Sequence, residues 1–235
     1  MKCRHCDSVI KNTFLDLGFA PPSNAYLDSD RLSFRELYFP LKVNVCEGCW
    51  LVQTEDYNDA DELFTEEYAY FSSTSKSFVE HAKKYSQEVT KRFNLSSQSF
   101  VMELASNDGY LLRNFVDSSI PCLGVEPTKS TAEASRKLNI EVIEEFFGEA
   151  TAKKIVNDYQ QADLIIGNNV YAHVPDINDF TLGMKTCLKS NGVITLEFPH
   201  LMNLIKYNQF DTVYHEHFSY LSLKSVNAIF KSSGL

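Results

Sequence analysis

Two short cysteine pairs sit near the start of this chain, Cys3-x-x-Cys6 and Cys46-x-x-Cys49. Two residues between thiols let both sulfurs reach one tetrahedral ion, so two such pairs complete a closed four-sulfur site. A closed site leaves no position for water or substrate. Residues 1–55 therefore read as a lobe stapled by a structural metal, zinc being the expected ion. A lobe this small builds a poor core alone, and metal binding supplies much of its folding energy, on the order of 10 kcal/mol. Disulfide pairing is the alternative, disfavoured where thiols stay reduced. Gly48, inside the second pair, is expected to let the backbone fold around the ion. Cys122 and Cys187 stand alone and read as small buried hydrophobes.

The 235 residues suffice for one medium domain beside a small one. A net charge of −9, with no basic stripe, argues against nucleic acid as a partner. It leaves room for an anionic small ligand in a local pocket. No apolar run approaches a membrane span, and the stretch from Met1 to Cys6 has no apolar signal region. Zinc-type thiols without a secretion signal point to the cytoplasm. The sequence leaves the oligomeric state open, a monomer being compatible.

After the lobe, residues 56–98 read as a helical connector, with Phe78, Ala82, Tyr85 and Val89 on one helical face. Residues 99–235 alternate strand and helix. Strands are expected at 100–104, 122–126, 140–143, 162–166 and 192–198. Helices are expected at 110–115, 130–138, 148–158 and 222–231, the last capped by Ser222 and ended by Gly234. Such alternation implies an α/β fold with a doubly wound, mostly parallel, Rossmann-like sheet.

Ligands of such sheets bind at the carboxyl ends of the strands. The loop after the first strand, Glu103 to Tyr110, places the small residues Ala105, Ser106 and Gly109 where a backbone approaches a ligand closely. It has one glycine, a poor match to a dinucleotide fingerprint. Glu126 ends the second strand, where a carboxylate accepts bonds from two ribose hydroxyls. An acid on each strand, Glu103 and Glu126, suits a ligand with a ribose and an amino-acid part, such as S-adenosylmethionine. Ordinary strand-end acids are the plainer reading of both.

The chain resembles the S-adenosylmethionine-dependent sugar C-methyltransferases, which join an N-terminal zinc lobe to a class I methyltransferase domain. The resemblance rests on the cysteine pairs, Pro22 to Leu27, Tyr68 to Ser75, Glu103 to Tyr110 and Gly124 to Pro127. It continues through Asn168 to Val174 and Tyr214 to Tyr220, all in the family's order. It implies that Glu126 holds the ribose, that the loop around Asn107 and Gly109 holds the methionine end, and that Phe146 and Asn168 lie near the cofactor. Members of the family continue into further strands and a C-terminal domain. This chain is therefore expected to be truncated, with an exposed sheet edge.

Tyr214-His215-Glu216-His217 carries the chemistry. The histidines are two apart, so this is not a zinc-protease helix motif. In an extended strand the two histidines would face away from Tyr214 and Glu216, so an irregular loop is expected. Methylation at carbon needs a carbon nucleophile. For a keto sugar, that means removing a proton beside the carbonyl and stabilising the enolate. A histidine suits the base, and hydrogen-bond donors stabilise the developing charge. The resemblance implies His217 as base, Tyr214 and His173 as enolate stabilisers, Glu216 as orienting or relay residue, and Tyr68 as a residue closing the site. Residue pattern alone does not choose between His215 and His217. The implied substrate is a nucleotide-linked keto-deoxysugar. An O- or N-methyltransferase, or a zinc-lobed nucleoside-binding module without catalysis, are the competing readings.

Overall fold

A computed structural model describes residues 1–23, 27–55 and 71–235. Among them the strands are β1 (Asn12–Ala20), β2 (Phe39–Val45), β3 (Val52–Thr54), β4 (Val101–Leu104), β5 (Cys122–Val125), β6 (Glu141–Ile143), β7 (Ala162–Asn168), β8 (Leu188–Glu197) and β9 (Ser219–Tyr220). The α-helices are α1 (Lys76–Arg92), α2 (Arg113–Asp117), α3 (Lys129–Arg136), α4 (Glu149–Asp158), α5 (Ile177–Cys187), α6 (Leu201–Tyr207) and α7 (Leu223–Ser233). The chain forms two compact units. One comprises Met1–Leu63, Tyr171–Asn178 and Phe198–Leu235; the other comprises Phe64–Val170 and Asp179–Glu197.

The second unit holds a parallel sheet in the order β6-β5-β4-β7-β8. All of β4 is buried, as in a strand covered on both faces, and Glu103 is buried with its three apolar neighbours. Val101, Leu164 and Ile166 pack with Leu111, Leu112, Phe115 and Ile140. The predicted face of α1 meets this core: Ala82 and Val89 are buried, and Phe78 and Tyr85 pack partly buried against it. Ser75 caps α1 by accepting from the Phe78 N–H. β8 ends the sheet among the described residues and is half-exposed along most of its length, as an edge strand is. It starts at Leu188 rather than Gly192, because Leu188 pairs with Ala162 ahead of an irregularity in the ladder. The helix expected at 110–115 starts later, at Arg113, because turns around Gly109 occupy the residues before it.

The first unit holds the antiparallel sheet β1-β2-β3-β9. Val43, Val52, Leu201, Leu204 and Tyr220 form its core. The contiguous division at 55 and 98 expected from the sequence is not how the chain packs. β9 pairs with β3, Gln53 facing Ser219, so the last segment completes the sheet of the cysteine lobe. α7 has the expected ends: a capping box between Ser222 and Ser225, and Gly234 at φ 77°. Sequence reading missed β1, whose alternation is broken by register shifts, and also β3, α5 and α6.

Candidate functional site

The four sulfurs of Cys3, Cys6, Cys46 and Cys49 all lie within 4.8 Å of one another. Cys3 and Cys49 are 3.5 Å apart, as are Cys6 and Cys46. A tetrahedral ion with bonds of about 2.3 Å spaces its sulfurs about 3.8 Å apart, so this cluster fits a structural zinc ion with little movement. The Cys49 sulfur beside it holds the Cys3 thiol down at about 4, and Gln53 Nε2–H donates to the Cys3 sulfur at 3.2 Å. Such outer donors hold a thiolate in place. The left-handed residues of the two knuckles are Asp7 (φ 58°) and Trp50 (φ 64°), each one after its second cysteine. Gly48 is not one of them, contrary to expectation. Its role is clearance, because a Cβ there would sit 2.9 Å from Ser8 Oγ and 3.5 Å from the Cys6 sulfur.

In the parallel-sheet unit, the loop after β4 bends through three left-handed residues: Ala105 (φ 54°), Asn107 (φ 50°) and Gly109 (φ 78°). Glu126, after β5, takes the Asn107 N–H on one carboxylate oxygen and the Thr128 N–H on the other, each at 2.9 Å. That ties the loop to the second strand and aims the carboxylate at the carboxyl end of the sheet. The Asn107 side chain accepts the Ser72 N–H (2.9 Å), and Asp108 accepts the Ser73 N–H (3.0 Å). Asp108 had not been singled out from the sequence; its burial among acids is visible only in the fold. Gly109 is required by space as well as by φ, since a Cβ would meet Ile140 at 2.5 Å and Ser135 at 2.7 Å. Glu103 is buried, and burial first, then the charges of Glu126 and Asp108, push its carboxyl well above the usual range. A cationic ligand group would be welcome beside such acids. Asn168 ends β7 and is buried, whereas Phe146, after β6, is 45% exposed.

In the other unit, residues 214–217 form a turn closed by the His217 N–H donating to the Tyr214 carbonyl at 3.1 Å. The turn brings residues three apart together. The Tyr214 hydroxyl lies 2.9 Å from His217 Nε2, and His217 Nδ1 lies 2.8 Å from the Thr212 carbonyl. A carbonyl only accepts, so the proton sits on Nδ1 and the lone pair on Nε2. Burial lowers the His217 pKa, with the Thr212 bond opposing in part. The ring is therefore neutral at neutral pH. His215 takes a different direction: its Nε2 meets the Pro40 carbonyl at 3.2 Å, and its ring stands edge-on to Phe39.

His173, in the short 3-10 turn Tyr171–His173, places its ring centre 4.5 Å from that of His217, the two planes tilted by 59°. Burial, then the charge of His217, lowers it to about 3, against a bond to the Glu216 carbonyl. Glu216 is buried and accepts from the Ser23 hydroxyl at 3.1 Å. The turn thus assembles Tyr214, Glu216, His217 and His173, while His215 serves the sheet. Tyr68 lies outside the described residues. No described helix is long and apolar enough to cross a membrane.

Residues 3–64 match the family described as "Putative zinc binding domain", and residues 78–235 match that described as "Methyltransferase domain". The chain is 32% identical over 234 residues to the C-methyltransferase NovU of Streptomyces niveus, a match spanning 100% of this chain and 56% of that relative. It thus spans little more than half the relative's length. Its fold is similar to that of a SAM dependent methyltransferase from Archaeoglobus fulgidus, with a TM-score of 0.51 and 12% identity over 65% of this chain and 68% of that one. A structure of the Haloferax volcanii Trm112 methyltransferase activator in complex with a methyltransferase also matches, with a TM-score of 0.52 and 13% identity over 68% of this chain and 71% of that one. At such identities the likeness is one of fold.

Proposed function

We propose, from the premise that this chain belongs to the methyltransferase-domain family, that it serves an S-adenosylmethionine-dependent C-methyltransferase acting on a nucleotide-linked keto-deoxysugar. The observation that carries this reading is the tautomer of His217. Its Nδ1–H is committed to the Thr212 carbonyl, and its buried neutral ring keeps a lone pair on Nε2 beside a phenol. A methyl group transferred to oxygen or nitrogen needs no enolate. A buried imidazole base paired with a phenol suits abstraction of a carbon-bound proton.

In this reading, His217 Nε2 takes the proton beside the ketone. The C–H electron pair moves into the enolate, whose oxygen carries the charge. Protonated Nε2 no longer needs the Tyr214 hydroxyl as a donor, and that O–H turns to the enolate oxygen. His173 already donates a ring N–H to the Glu216 carbonyl, so as a neutral ring it has a lone pair and no second N–H to offer. We therefore give the enolate contact to Tyr214, and to His173 and Glu216 the task of holding His217 in place. S-adenosylmethionine supplies an electrophilic methyl group when bound. Glu126 would take its ribose hydroxyls, Glu103 the cationic methionine end, and the Ala105–Gly109 loop the backbone contacts. Phe146 and Asn168 would flank the purine.

Solvent deuterium exchange at the carbon next to the ketone tests the assignment. The unaltered chain should catalyse exchange, and His217→Asn should abolish it while calorimetry finds cofactor affinity unchanged. Exchange that persists in His217→Asn would remove this histidine from the role.

A further inference from the structure

The residues between Cys3 and Cys6 reach well beyond their turn. The Arg4 N–H donates to Gln53 Oε1 at 2.9 Å. Its guanidinium forks, Nη1 donating to the Pro175 carbonyl at 2.8 Å and Nη2 to the Thr54 carbonyl at 3.1 Å. The same group lies over the Phe218 ring, 5.4 Å from its centre. His5 Nδ1 meets Asn178 Oδ1 at 2.8 Å, and Asn178 Nδ2 donates back to the His5 carbonyl at 2.9 Å.

These partners flank the His173–His217 ring pair. Pro175 lies two residues after His173, on the segment that Asn178 anchors at its far end. Phe218 directly follows His217. Thr54, whose carbonyl receives Arg4, donates its hydroxyl to the His217 carbonyl at 3.2 Å and its N–H to the Phe218 carbonyl at 3.2 Å. Gln53, which receives the Arg4 N–H, also donates to the Cys3 sulfur. One metal knuckle is therefore bonded to the backbone on both sides of the imidazole pair. His173 and His217 come from segments far apart in sequence and need a common reference. A planar fork with fixed donor directions supplies one in a way a single ammonium cannot.

We propose that Arg4 is a positioning residue for the proton-abstraction step: through Pro175, Thr54 and Phe218, it sets the spacing of the His173 and His217 rings, so that the zinc knuckle is the ruler of the base site. The inference rests on the reading of His217 as base. It separates from that reading in its test, because ring geometry is measured without turnover.

The test compares the zinc-loaded chain with Arg4→Lys, which keeps the charge and loses the fork. Zinc content and S-adenosylmethionine affinity should stay as in the unaltered chain. The imidazole nitrogen resonances of His173 and His217, and their titration, should move, and ketone-adjacent deuterium exchange should fall about 10- to 100-fold, as small misplacements of reacting groups do. Unmoved resonances in a folded, zinc-loaded Arg4→Lys chain would overturn the proposal. If Arg4→Lys fails to fold or loses zinc, Arg4→Gln takes its place, since its amide keeps a donor for one carbonyl while the two-carbonyl fork is lost. There, a shift of the His173 resonances supports the proposal, and unmoved resonances overturn it. If the unaltered chain shows no exchange at all, the C-methylation reading fails, while the resonances still decide the role of Arg4.

Discussion

His217 meets two partners that ask opposite things of its ring, an acceptor at Nδ1 and a hydroxyl donor at Nε2. Burial keeps the ring neutral, and with its proton on Nδ1 the Nε2 lone pair accepts from that hydroxyl. The sequence singled out Tyr214 to His217 but could not choose between the histidines. The fold gives them different surroundings, the Thr212 carbonyl beside the His217 ring and the Pro40 carbonyl beside the His215 ring, a proximity that no local pattern shows. His173 and His217 also have a measurable consequence for acid stability. Both titrate lower in the folded chain than their ordinary 6.5, His173 at about 3. As pH falls below 6.5, the unfolded chain takes up protons that the folded one refuses. Stability is therefore full above 6.5 and is lost steadily as pH drops toward 3. Denaturant titrations across this window should find unfolding coupled to proton uptake. His173→Gln should remove about one proton from that coupling. An unchanged pH slope in His173→Gln would mean that its ring titrates normally in the folded state.

The loop from Ala105 to Gly109 is the element on which the cofactor reading depends. It combines three left-handed residues with two side-chain clasps to Ser72 and Ser73 and a carboxylate clasp from Glu126. Gly109→Ala would add a Cβ at a φ of 78° and drive it within 2.5 Å of Ile140. The expected cost is about 2–4 kcal/mol, from overpacking and backbone strain together. It should appear as a lower urea midpoint with an unchanged slope. The parallel strands were legible because they carry buried apolar runs such as Leu164-Ile165-Ile166. α1 and α7 were legible through their periodicity and caps. β1 was not, since its pairing with β2 slips between Thr13 and Leu15 and again between Asp16 and Phe19. α5 was missed although Ile177, Phe180, Met184 and Cys187 are all buried on one face. Gly183 in its middle lets α5 approach the Gly148 backbone, 2.9 Å from where a Cβ would stand.

At the scale of the whole molecule, the four cysteines and the histidine turn belong to the same unit, which the sequence order concealed. Contiguity suggested a lobe ending near residue 55. Pairing of Gln53 with Ser219 shows otherwise, and pairings so distant leave no local pattern to read. Cys46→Ser should release the metal and loosen the β1-β2-β3-β9 sheet. The β4–β8 sheet, whose core contains none of the four ligands, should keep its cofactor affinity. Metal content by atomic emission, set beside calorimetry with S-adenosylmethionine, checks both halves; a full complement of zinc in Cys46→Ser would refute the four-sulfur site. The distant pairing also has a meaning in time. Synthesis delivers both cysteine pairs and β1 to β3 early, while β9 emerges only after β4 to β8 have been made. Until then β3 has an open edge, the kind of surface on which nascent chains stick to one another. Capture of an ion by the early cysteines would hold the three strands in register during that wait, so a bound metal would guard the growing chain before it serves the folded one.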